Sequence, residues 1–569
     1  MDTVKSFKGY GKVDELEAAA FKRKSRKRLI VLSISLLLLI VLIIGVVAGT
    51  VAHRKKNTTS GEAPASTAAA IKSICSVTQY PTSCVATLGS SNSKNPANVF
   101  QYSLTVAMDS LEKLSNLPDA YMNRTDDPLV KEALKVCGIV LNDAVDSLND
   151  SISSIRGGAK LTSAPVIDDL KTWLSTVLTD QETCFDALRE VNATFVDDVR
   201  LLMKNSSEYA SNSLAIVSKL LGLLGDFKIP IHRRLLTAAR SDFPSWIAAV
   251  DRRLLQESNP KPDVTVAADG SGDVKTITEA VARIPKKSNT RFVIHIKAGE
   301  YVENILLEKA YWNVMIYGDG KDSTIVSGSK NFIDGTPTFS TATFAVAGKG
   351  FIARDISFRN TAGAIKHQAV AFRSGSDQSV FHRCSFDSFQ DTLYAHSNRQ
   401  FYRECDITGT IDFIFGNSAV VFQNCNILPR QPLSNQFVTI TAQGKKDPNQ
   451  NSGISIQRCT MSPLDRLTAP TYLGRPWKEF STTVIMETNI GAFLDPKGWI
   501  SWVSNVDPPS SIFYAEYQNT GPGASTANRV GWAGYNPTLT AAQASKYTVE
   551  SLIEGASWLP ATNVAYEST

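Results

Sequence analysis

The chain has 569 residues, of which 43% are hydrophobic, and a formal net charge of +5. This length exceeds that of one ordinary domain, so two or three domains are expected. From residue 257 onward, 28 Lys and Arg balance 28 Asp and Glu, so this part lacks the basic excess that usually accompanies nucleic-acid binding. The eight cysteines include no Cys-x-x-Cys pair, so zinc-ligand spacing is absent, and no metal or cofactor is expected.

The first part of the chain predicts a membrane anchor. Residues 29–51 carry no charge, and at ~1.5 Å per residue they are long enough to span a hydrocarbon layer of ~30 Å. The alternatives are a buried core helix and a cleaved signal peptide, whose apolar region is normally shorter and nearer the N-terminus. Basic residues are more numerous before this run than after it. This asymmetry predicts a cytoplasmic tail at 1–28 and a lumenal or extracellular remainder.

Five Asn-x-Ser/Thr sequons agree with a secretory route, on which glycosylation and disulfides are both permitted. All five precede residue 210, which suggests two regions with different surfaces. The acceptors are Asn57, Asn123, Asn149, Asn192 and Asn205.

A linker at 52–69, rich in Ser, Thr and Ala, leads into a region with a helical pattern at 70–225. Apolar residues recur there at helical spacing, for example at Ile167, Leu170 and Leu174. Four long helices with short joints predict an all-α four-helix bundle.

Four cysteines lie in this helical region. Cys75 and Cys84 would close a short helical hairpin, and Cys137 would connect to Cys184 on a neighbouring helix. Spacing alone leaves the connectivity open.

A connector at 226–256 carries Arg-Arg-Leu-Leu twice. Dibasic sites in an exposed joint predict cleavage, here by a subtilisin-like processing protease, because nicking concentrates in such segments. The alternative is a pair of amphipathic helix ends. The residues are Arg233, Arg234, Leu235 and Leu236, then Arg252, Arg253, Leu254 and Leu255.

After residue 256 the pattern changes to short β-type runs bounded by Gly, Asp or Asn. Cys384, Cys405 and Cys425 mark a rhythm with spacings of 21 and 20 residues. Repeats of this length predict a solenoid, here an all-β right-handed parallel β-helix over 257–569. Its ends need covering, and a short helix near 541–552 and the long loops after Pro508 are the candidates for one cap.

Two aspartates in the repeats form the candidate active site. Asp391 and Asp412 lie 21 residues apart, so strands ~4.8 Å apart would stack them on one face. Two close carboxylates cannot both ionise easily, so the pKa of one should rise, while Arg475, about three coils along, would keep the other ionised. Gln368 and Gln390 bring amide donors suited to an oxyanion. The set predicts acyl transfer without a serine nucleophile.

Four segments of the β region resemble the signature of plant pectin methylesterases: Gln368-Ala-Val-Ala, Gln390-Asp-Thr-Leu, Asp412-Phe-Ile-Phe-Gly and Leu473-Gly-Arg-Pro-Trp. The helical region is similar to the invertase/pectin methylesterase inhibitor family, in its four cysteines and in Thr183-Cys184-Phe-Asp. Together the two regions resemble an esterase made with an inhibitor-like pro-region.

The resemblance implies hydrolysis of the methyl esters of homogalacturonan (pectin) to de-esterified pectin and methanol. It implies that Asp412 attacks the ester carbonyl and that Asp391 protonates methanol and then activates water. Gln368 and Gln390 would hold the oxyanion, and Arg475 would orient Asp412.

Substrate contacts and a disulfide also follow from the resemblance alone. Thr338 and Trp477 would contact the sugar chain, together with Gln368 and Arg475. Cys405 would pair with Cys425, which leaves Cys384 and Cys459 without an assignment.

The resemblance further implies how the enzyme is delivered. The pro-region would restrain activity or aid export until its removal. The precursor would be membrane-anchored in the secretory pathway (Golgi), and the product would act in the cell wall, where a proteinaceous inhibitor is a further partner. Two alternatives stay open: a polygalacturonase or pectate lyase-type β-helix enzyme that uses Asp391 and Asp412, and an inhibitor displayed at a membrane by the helical half.

Overall fold

The computed structural model describes residues 67–157, 161, 163–221 and 260–568, which belong to one structural unit. The predicted tail at 1–28, the predicted anchor at 29–51 and both Arg-Arg-Leu-Leu sites lie outside the described residues. Within the described ranges, no helix is long and apolar enough to cross a membrane.

The helical part comprises residues 67–221. Its helices are α1 (Thr67–Cys75), α2 (Pro81–Leu88), α3 (Pro96–Glu112), α4 (Leu117–Met122), α5 (Pro128–Arg156), α6 (Ala164–Glu190) and α7 (Val196–Ala215), which continues as a π-helical segment at Ile216–Leu221. A 3-10 turn at Gly89–Ser91 follows α2. Because α1 begins at Thr67, the last residues of the predicted linker are helical.

Local sequence explains where the long helices begin. Asn95 and Asp127 precede proline at the first helical position, and their side chains accept hydrogen bonds from Ala97 N and from Leu129 N. Such caps satisfy backbone donors that the first turn leaves without partners. The four longest of these helices, α3, α5, α6 and α7, have 17, 29, 27 and 20 residues and supply most of the bundle core.

Two disulfides staple the helical part. Cys75–Cys84 joins α1 to α2 with a Cα–Cα distance of 5.6 Å, and Cys137–Cys184 joins α5 to α6 at 4.4 Å. The structure therefore contains both pairings that the cysteine positions suggested. The sequon acceptors Asn123, Asn149, Asn192 and Asn205 are all exposed, and Asn57 lies outside the described residues.

The β part is a right-handed parallel β-helix, in which each coil adds a strand to three parallel sheets. Sheet 1 contains β1 (Val264–Val266), β2 (Phe292–Ile296), β5 (Val314–Gly318), β8 (Ile352–Arg354), β11 (Ser379–His382), β14 (Arg399–Arg403), β17 (Ala419–Gln423), β20 (Gly453–Gln457), β23 (Thr482–Met486), β25 (Phe513–Tyr517) and β26 (Tyr535–Asn536). Sheet 2 contains β3 (Gly299–Val302), β6 (Thr324–Gly328), β9 (Ser357–Asn360), β12 (Ser385–Asp387), β15 (Asp406–Gly409), β18 (Asn426–Pro429), β21 (Thr460–Met461) and β24 (Asn489–Ile490). Sheet 3 contains β4 (Ile305–Leu307), β7 (Phe344–Val346), β10 (Phe372–Ser374), β13 (Leu393–Ala395), β16 (Ile414–Gly416), β19 (Val438–Gln443) and β22 (Thr471–Pro476).

In-register stacking builds the interior of the β-helix. Phe344 pairs with Phe372 across sheet 3, and their rings are stacked with centroids 5.5 Å apart. Phe381 stacks on Tyr402 at 4.4 Å, and Tyr402 stacks on Phe422 at 4.6 Å. All five side chains are fully buried. A buried side chain of this kind contributes about 1.5–3 kcal/mol through the hydrophobic effect, so the ladder holds successive coils in one register.

The predicted disulfide between Cys405 and Cys425 is wrong. Cys384, Cys405, Cys425 and Cys459 occupy equivalent positions in four successive coils, and all four are buried free thiols. The thiol of Cys405 donates to Phe381 O at 3.4 Å, and that of Cys425 donates to Tyr402 O at 3.6 Å. In-register stacking aligns these side chains as a ladder. The thiols of Cys405, Cys425 and Cys459 donate to backbone carbonyls of the preceding coil, and that of Cys384 donates to His382 O.

Of the two candidates for the end cap, the region after Pro508 places Ile512, Trp532 and Tyr535 in the interior cluster, whereas the helical candidate is wrong. Short helices α9 (Ala541–Ala544), α10 (Val549–Ile553) and α11 (Gly555–Trp558) follow the last strand. Val549 and Ile553 pack against outward-facing Val380 and Val421 of sheet 1, so α10 covers the side of the β-helix. At the other end, α8 (Ile277–Val281) buries Ile277 in the interior and closes the first coils.

Candidate active site

The two aspartates occupy equivalent positions ahead of neighbouring strands in sheet 3. Leu393 pairs with Ile414, and Asp391 and Asp412 each lie two residues earlier. Both have a left-handed backbone, with φ of 63° and 50°. An L-residue in this conformation costs roughly 1–2 kcal/mol, and the short polar side chain of Asp tolerates it better than most. The strain recurs at the same point of two coils and turns both carboxyls into one cavity.

Asp412 is held as a carboxylate acceptor by two neighbours. Arg475 donates from Nε to Oδ1 at 2.8 Å and from Nη2 to Oδ2 at 2.6 Å, a bidentate geometry. The Thr439 hydroxyl donates to Oδ1 at 2.7 Å and accepts from the Asp412 backbone N–H at 2.9 Å. Charge-assisted bidentate pairs are among the strongest hydrogen bonds in proteins and fix direction as well as charge. Thr439 was not identified from the sequence, because a lone threonine within a strand gives no signal.

Asp391 has the opposite environment. In the intact chain it is buried, and burial raises its pKa well above the ordinary value. The nearby carboxylates of Asp412 and Glu190 add to the shift, and Arg475 opposes it. A carboxyl with a raised pKa carries a proton at pH values where an exposed aspartate does not. One member of the pair is thus built to accept hydrogen bonds, and the other to hold a proton.

One cavity of about 350 Å³ brings together every residue predicted for catalysis and substrate contact. Gln368 and Gln390 are bridged backbone to backbone in parallel, which sets their side chains on adjacent coils. The predicted residues that line the cavity are Thr338, Gln368, Gln390, Asp391, Asp412, Arg475 and Trp477.

Aromatic side chains that were not identified from the sequence complete the walls. Phe339, Tyr394, Phe415 and Trp502 line the cavity. The Arg475 guanidinium lies 4.3 Å from the Trp502 ring centroid. Tyr394 and Phe415 pair in register and stack with centroids 4.2 Å apart, so their outward position follows from the strand alternation of sheet 3. Trp502 lies in a loop, and no periodicity in the sequence predicts its position in the cavity.

Helix α6 of the helical part covers this cavity. Glu190, at its C-terminal end, accepts a hydrogen bond from Thr338 N at 3.1 Å and another from the Thr338 hydroxyl. Thr183 and Ala187 line the cavity as well, and Thr183 Oγ1 lies 2.9 Å from His396 Nε2. In the intact chain, Thr338, Asp391 and Asp412 therefore share the cavity with side chains of α6.

Ion pairs lie at both ends of the contact between α6 and the β-helix. The Lys478 ammonium, which is 7% exposed, donates to Glu182 at 2.7 Å and to Asp186 at 2.6 Å, both on α6. At the other end of the helix, Arg399 donates to Asp169 at 2.8 Å and to Asp377 of the preceding coil at 2.7 Å.

Between these ion pairs, hydroxyls on α6 meet amide side chains in the turns of the β-helix. Thr176 donates to Asn398 at 2.8 Å, and Asn417 donates to Thr179 at 2.9 Å. Asn451 donates to Thr172 at 2.9 Å. The apolar core of the bundle is continuous with the outward face of sheet 3 through residues such as Phe339, Tyr394 and Phe415. The contact combines apolar packing with satisfied polar groups, as stable interfaces do.

Burial at the contact between α6 and the β-helix shifts the pKa of two further groups. It raises the pKa of Glu190 to about 7, with the Thr338 hydrogen bonds opposing the shift. It lowers the pKa of His396 to about 3, so this imidazole is neutral beneath Thr183.

Comparisons with known proteins agree with this architecture. A family profile described as Pectinesterase matches residues 263–556, and one described as Plant invertase/pectin methylesterase inhibitor matches residues 69–216. The chain is 57% identical to "Pectinesterase 3" of Phaseolus vulgaris over 100% of both chains, and 58% identical to "Pectinesterase 1" of Arabidopsis thaliana over 99% of both. A solved structure of pectin methylesterase from carrot is 51% identical, with a TM-score of 0.53, and covers 55% of this chain and 99% of its own. The chain therefore belongs to the pectinesterase family, the carboxylic ester hydrolases of pectin, and carries an inhibitor-type helical domain before its β-helix.

Proposed function

We propose that the cavity hydrolyses methyl esters of homogalacturonan with Asp412 as nucleophile and Asp391 as general acid and base. The observation that supports this most directly is the unequal pair itself. Asp412 receives a bidentate guanidinium, and Asp391 is a buried carboxyl with a raised pKa in the same cavity. Two carboxyls in such different environments, one of them with a raised pKa, are typical of acid–base catalysis.

In the first half-reaction, an Asp412 carboxylate oxygen attacks the ester carbonyl carbon. The carbonyl oxygen takes the negative charge, and the amides of Gln368 and Gln390 donate to it. When the tetrahedral intermediate collapses, the C–O bond to the methoxy group breaks and Asp391 gives its proton to that oxygen. Methanol leaves, and an acyl-enzyme anhydride remains on Asp412.

In the second half-reaction, Asp391 is ionised and serves as base. It takes a proton from a water molecule as the water oxygen attacks the acyl carbon. Collapse breaks the bond to Asp412, which leaves as carboxylate, while the galacturonate acid is released and Asp391 is protonated again. Arg475 keeps the carboxylate of Asp412 in a single orientation throughout.

Replacement of either aspartate tests these roles. Asp412→Asn and Asp391→Asn should each abolish methanol release from methylated pectin while the chain still folds, as its circular dichroism spectrum would show. Asp322→Asn, an exposed aspartate elsewhere on the β-helix, is the matched control and should keep full activity. Full activity in either active-site variant would refute the assignment.

Glycoside cleavage by the same two aspartates is the alternative chemistry. It predicts new reducing ends or unsaturated products from pectin. Methanol and acid released without chain shortening support the esterase, and shortening of the polymer would overturn it.

The helical part is proposed to restrain the enzyme in the intact chain. Its helix α6 covers the cavity, and Glu190 occupies the Thr338 backbone and hydroxyl donors, which would otherwise face substrate. A sugar chain cannot occupy the same space as α6, so activity requires the helix to move away or to be removed.

Removal is assigned to a subtilisin-like protease acting at Arg233-Arg234 or Arg252-Arg253, with residues 29–51 anchoring the precursor in the secretory pathway and the β-helix then acting in the cell wall. Replacing the four arginines with Gln should keep an uncleaved, weakly active form inside the cell. Normal secretion of a mature-sized product by that variant would contradict the assignment. N-terminal sequencing of the wall-bound protein would identify the cut.

A further inference from the structure

A second face of the β-helix, away from the catalytic cavity, is also covered by acidic groups of the helical part. It lies in the turns after the first strands of sheet 3. Lys309 follows β4, and Lys349 follows β7. Lys287 and Trp312 complete the face, which we call the lysine face. None of its four residues lines the catalytic cavity.

The lysine face is built to present ammonium groups. Trp312 donates from Nε1 to Lys309 O at 2.8 Å, which fixes the ring beside that lysine. The Lys349 ammonium lies 4.1 Å from the Trp312 ring centroid, a cation–π distance. Lys287 and Lys349 are exposed even with the helical part in place.

Helix α5 faces these lysines with a ladder of carboxyls. Asp143, Asp146 and Asp150 are three and four residues apart, so they lie on one side of the helix at intervals of ~4.5 and ~6 Å along its axis. Lys309 donates to Asp143 O at 2.5 Å and to the Ser147 hydroxyl at 2.7 Å. Burial raises the pKa of Asp150, and the charges of Lys309 and Lys349 oppose that shift. The carboxyls of α5 and the lysines therefore interact electrostatically.

The fit between the two sets is complementary in charge and loose in contact. Beside the two Lys309 hydrogen bonds lies a cavity of about 520 Å³, lined by Asp146 and Asp150 on one side and by the lysine face on the other. Among the described residues, none of the three lysines forms an ion pair with a carboxylate. A packed structural interface would close such a gap, because unfilled space forfeits contact energy. The lysines thus remain available when α5 departs.

We propose that the lysine face binds the acidic polymer that the enzyme produces, a run of de-esterified galacturonate residues, once the helical part has been removed. Before that, the carboxyls of α5 face the lysines across the cavity, in the space where a row of uronate carboxylates would bind. The inference rests on the proposed function for its choice of polymer. Spaced ammonium groups bind carboxylates of a flexible polyanion through screened attractions that add along the chain.

The β-helix can be tested without the helical part, because its interior cluster contains only residues of the β part, from Val264 to Tyr535. The experiment measures binding of a fully de-esterified galacturonate oligomer, which has no ester to hydrolyse, to residues 257–569 by calorimetry at two salt concentrations. Lys309→Gln with Lys349→Gln should weaken binding about tenfold or more, with the difference shrinking at high salt. Lys261→Gln with Lys275→Gln, two exposed lysines outside the face, is the matched control and should bind like the parent.

Three outcomes separate this inference from the proposed function. Methanol release by the parent, together with oligomer binding that is unchanged in the Lys309/Lys349 variant, overturns the lysine face and leaves the esterase intact. Binding that methylated oligomers displace from parent and variant alike places the polymer in the catalytic cavity and also overturns the inference. Weakened binding in the variant, with tight binding absent from the uncleaved chain, supports it whether or not methanol is released.

Discussion

The cover over the active site can be loosened from the helical side without touching the catalytic part. Glu182→Gln with Asp186→Asn leaves the Lys478 ammonium without its two carboxylate partners, which lie at 2.7 and 2.6 Å. The change is made in a chain whose four connector arginines are replaced with Gln, so that the helical part stays attached.

The structure sets the size of the effect. Lys478 is 7% exposed, and the side chains of Glu182 and Asp186 are 18% and 20% exposed. An exposed ion pair contributes about 0–1 kcal/mol, whereas leaving one charge of a buried pair without its partner costs about 3–5 kcal/mol. The Lys478 cluster lies between these limits, so docking of α6 should weaken by about 2–3 kcal/mol. Such a change multiplies the uncovered fraction by roughly 30 to 150.

Methanol release by the uncleaved chain is the assay, because only the uncovered fraction turns over. The matched control is Glu132→Gln, which breaks an exposed pair with Lys135 on α5 at 2.6 Å. That control should change the rate by less than about fivefold. A rate for the double variant no higher than that of the control would refute the view that this cluster holds the cover in place.

Three further outcomes are expected. Burial raises the pKa of Glu190 to about 7 while α6 is docked, so docking takes up a proton and is strongest below pH 4.5. Docking weakens as the pH rises through 7, and the uncleaved chain should therefore gain activity between these pH values. Glu190→Gln should reduce this gain. Burial also raises the pKa of Asp180, whose Oδ2 has no hydrogen-bond partner among the described residues, so the folded chain loses stability as this carboxyl ionises with rising pH. Asp180→Asn should therefore raise the melting temperature at pH 7 by a few degrees and change it little at pH 4. Thr439→Val removes one donor to Asp412 and should lower kcat with little change in KM, a result that an equal rise in KM would contradict.

Much of the site could be predicted from the sequence, because in a solenoid residues one repeat apart along the chain lie next to each other in space. Asp391, Asp412 and the two glutamines recur at coil spacing, and the cavity contains all of them. Arg475, three coils along, also follows that order and reaches Asp412. Thr439 and Trp502 escaped prediction because one is an ordinary strand residue and the other lies in an irregular loop.

The same regularity misled the prediction for the cysteines. Coil spacing correctly placed Cys405 and Cys425 one above the other, and the resemblance then implied a bond between them. Whether stacked thiols join depends on side-chain direction, and here the sulfurs turn to backbone carbonyls of the preceding coil. Spacing along the chain holds no information about that choice.

The sequence by itself determined the two architectures, the coil register and the identity of the paired aspartates, because helical and strand periodicity are local properties of the chain. Only the tertiary structure decided that α6 lies over those aspartates and that Glu190 contacts Thr338, across 148 residues of chain. It also decided that α5 sets its carboxyls against the lysine face. Docking of this kind depends on the shapes and charges of two surfaces that form only after each part has folded, and no repeat in the sequence records it.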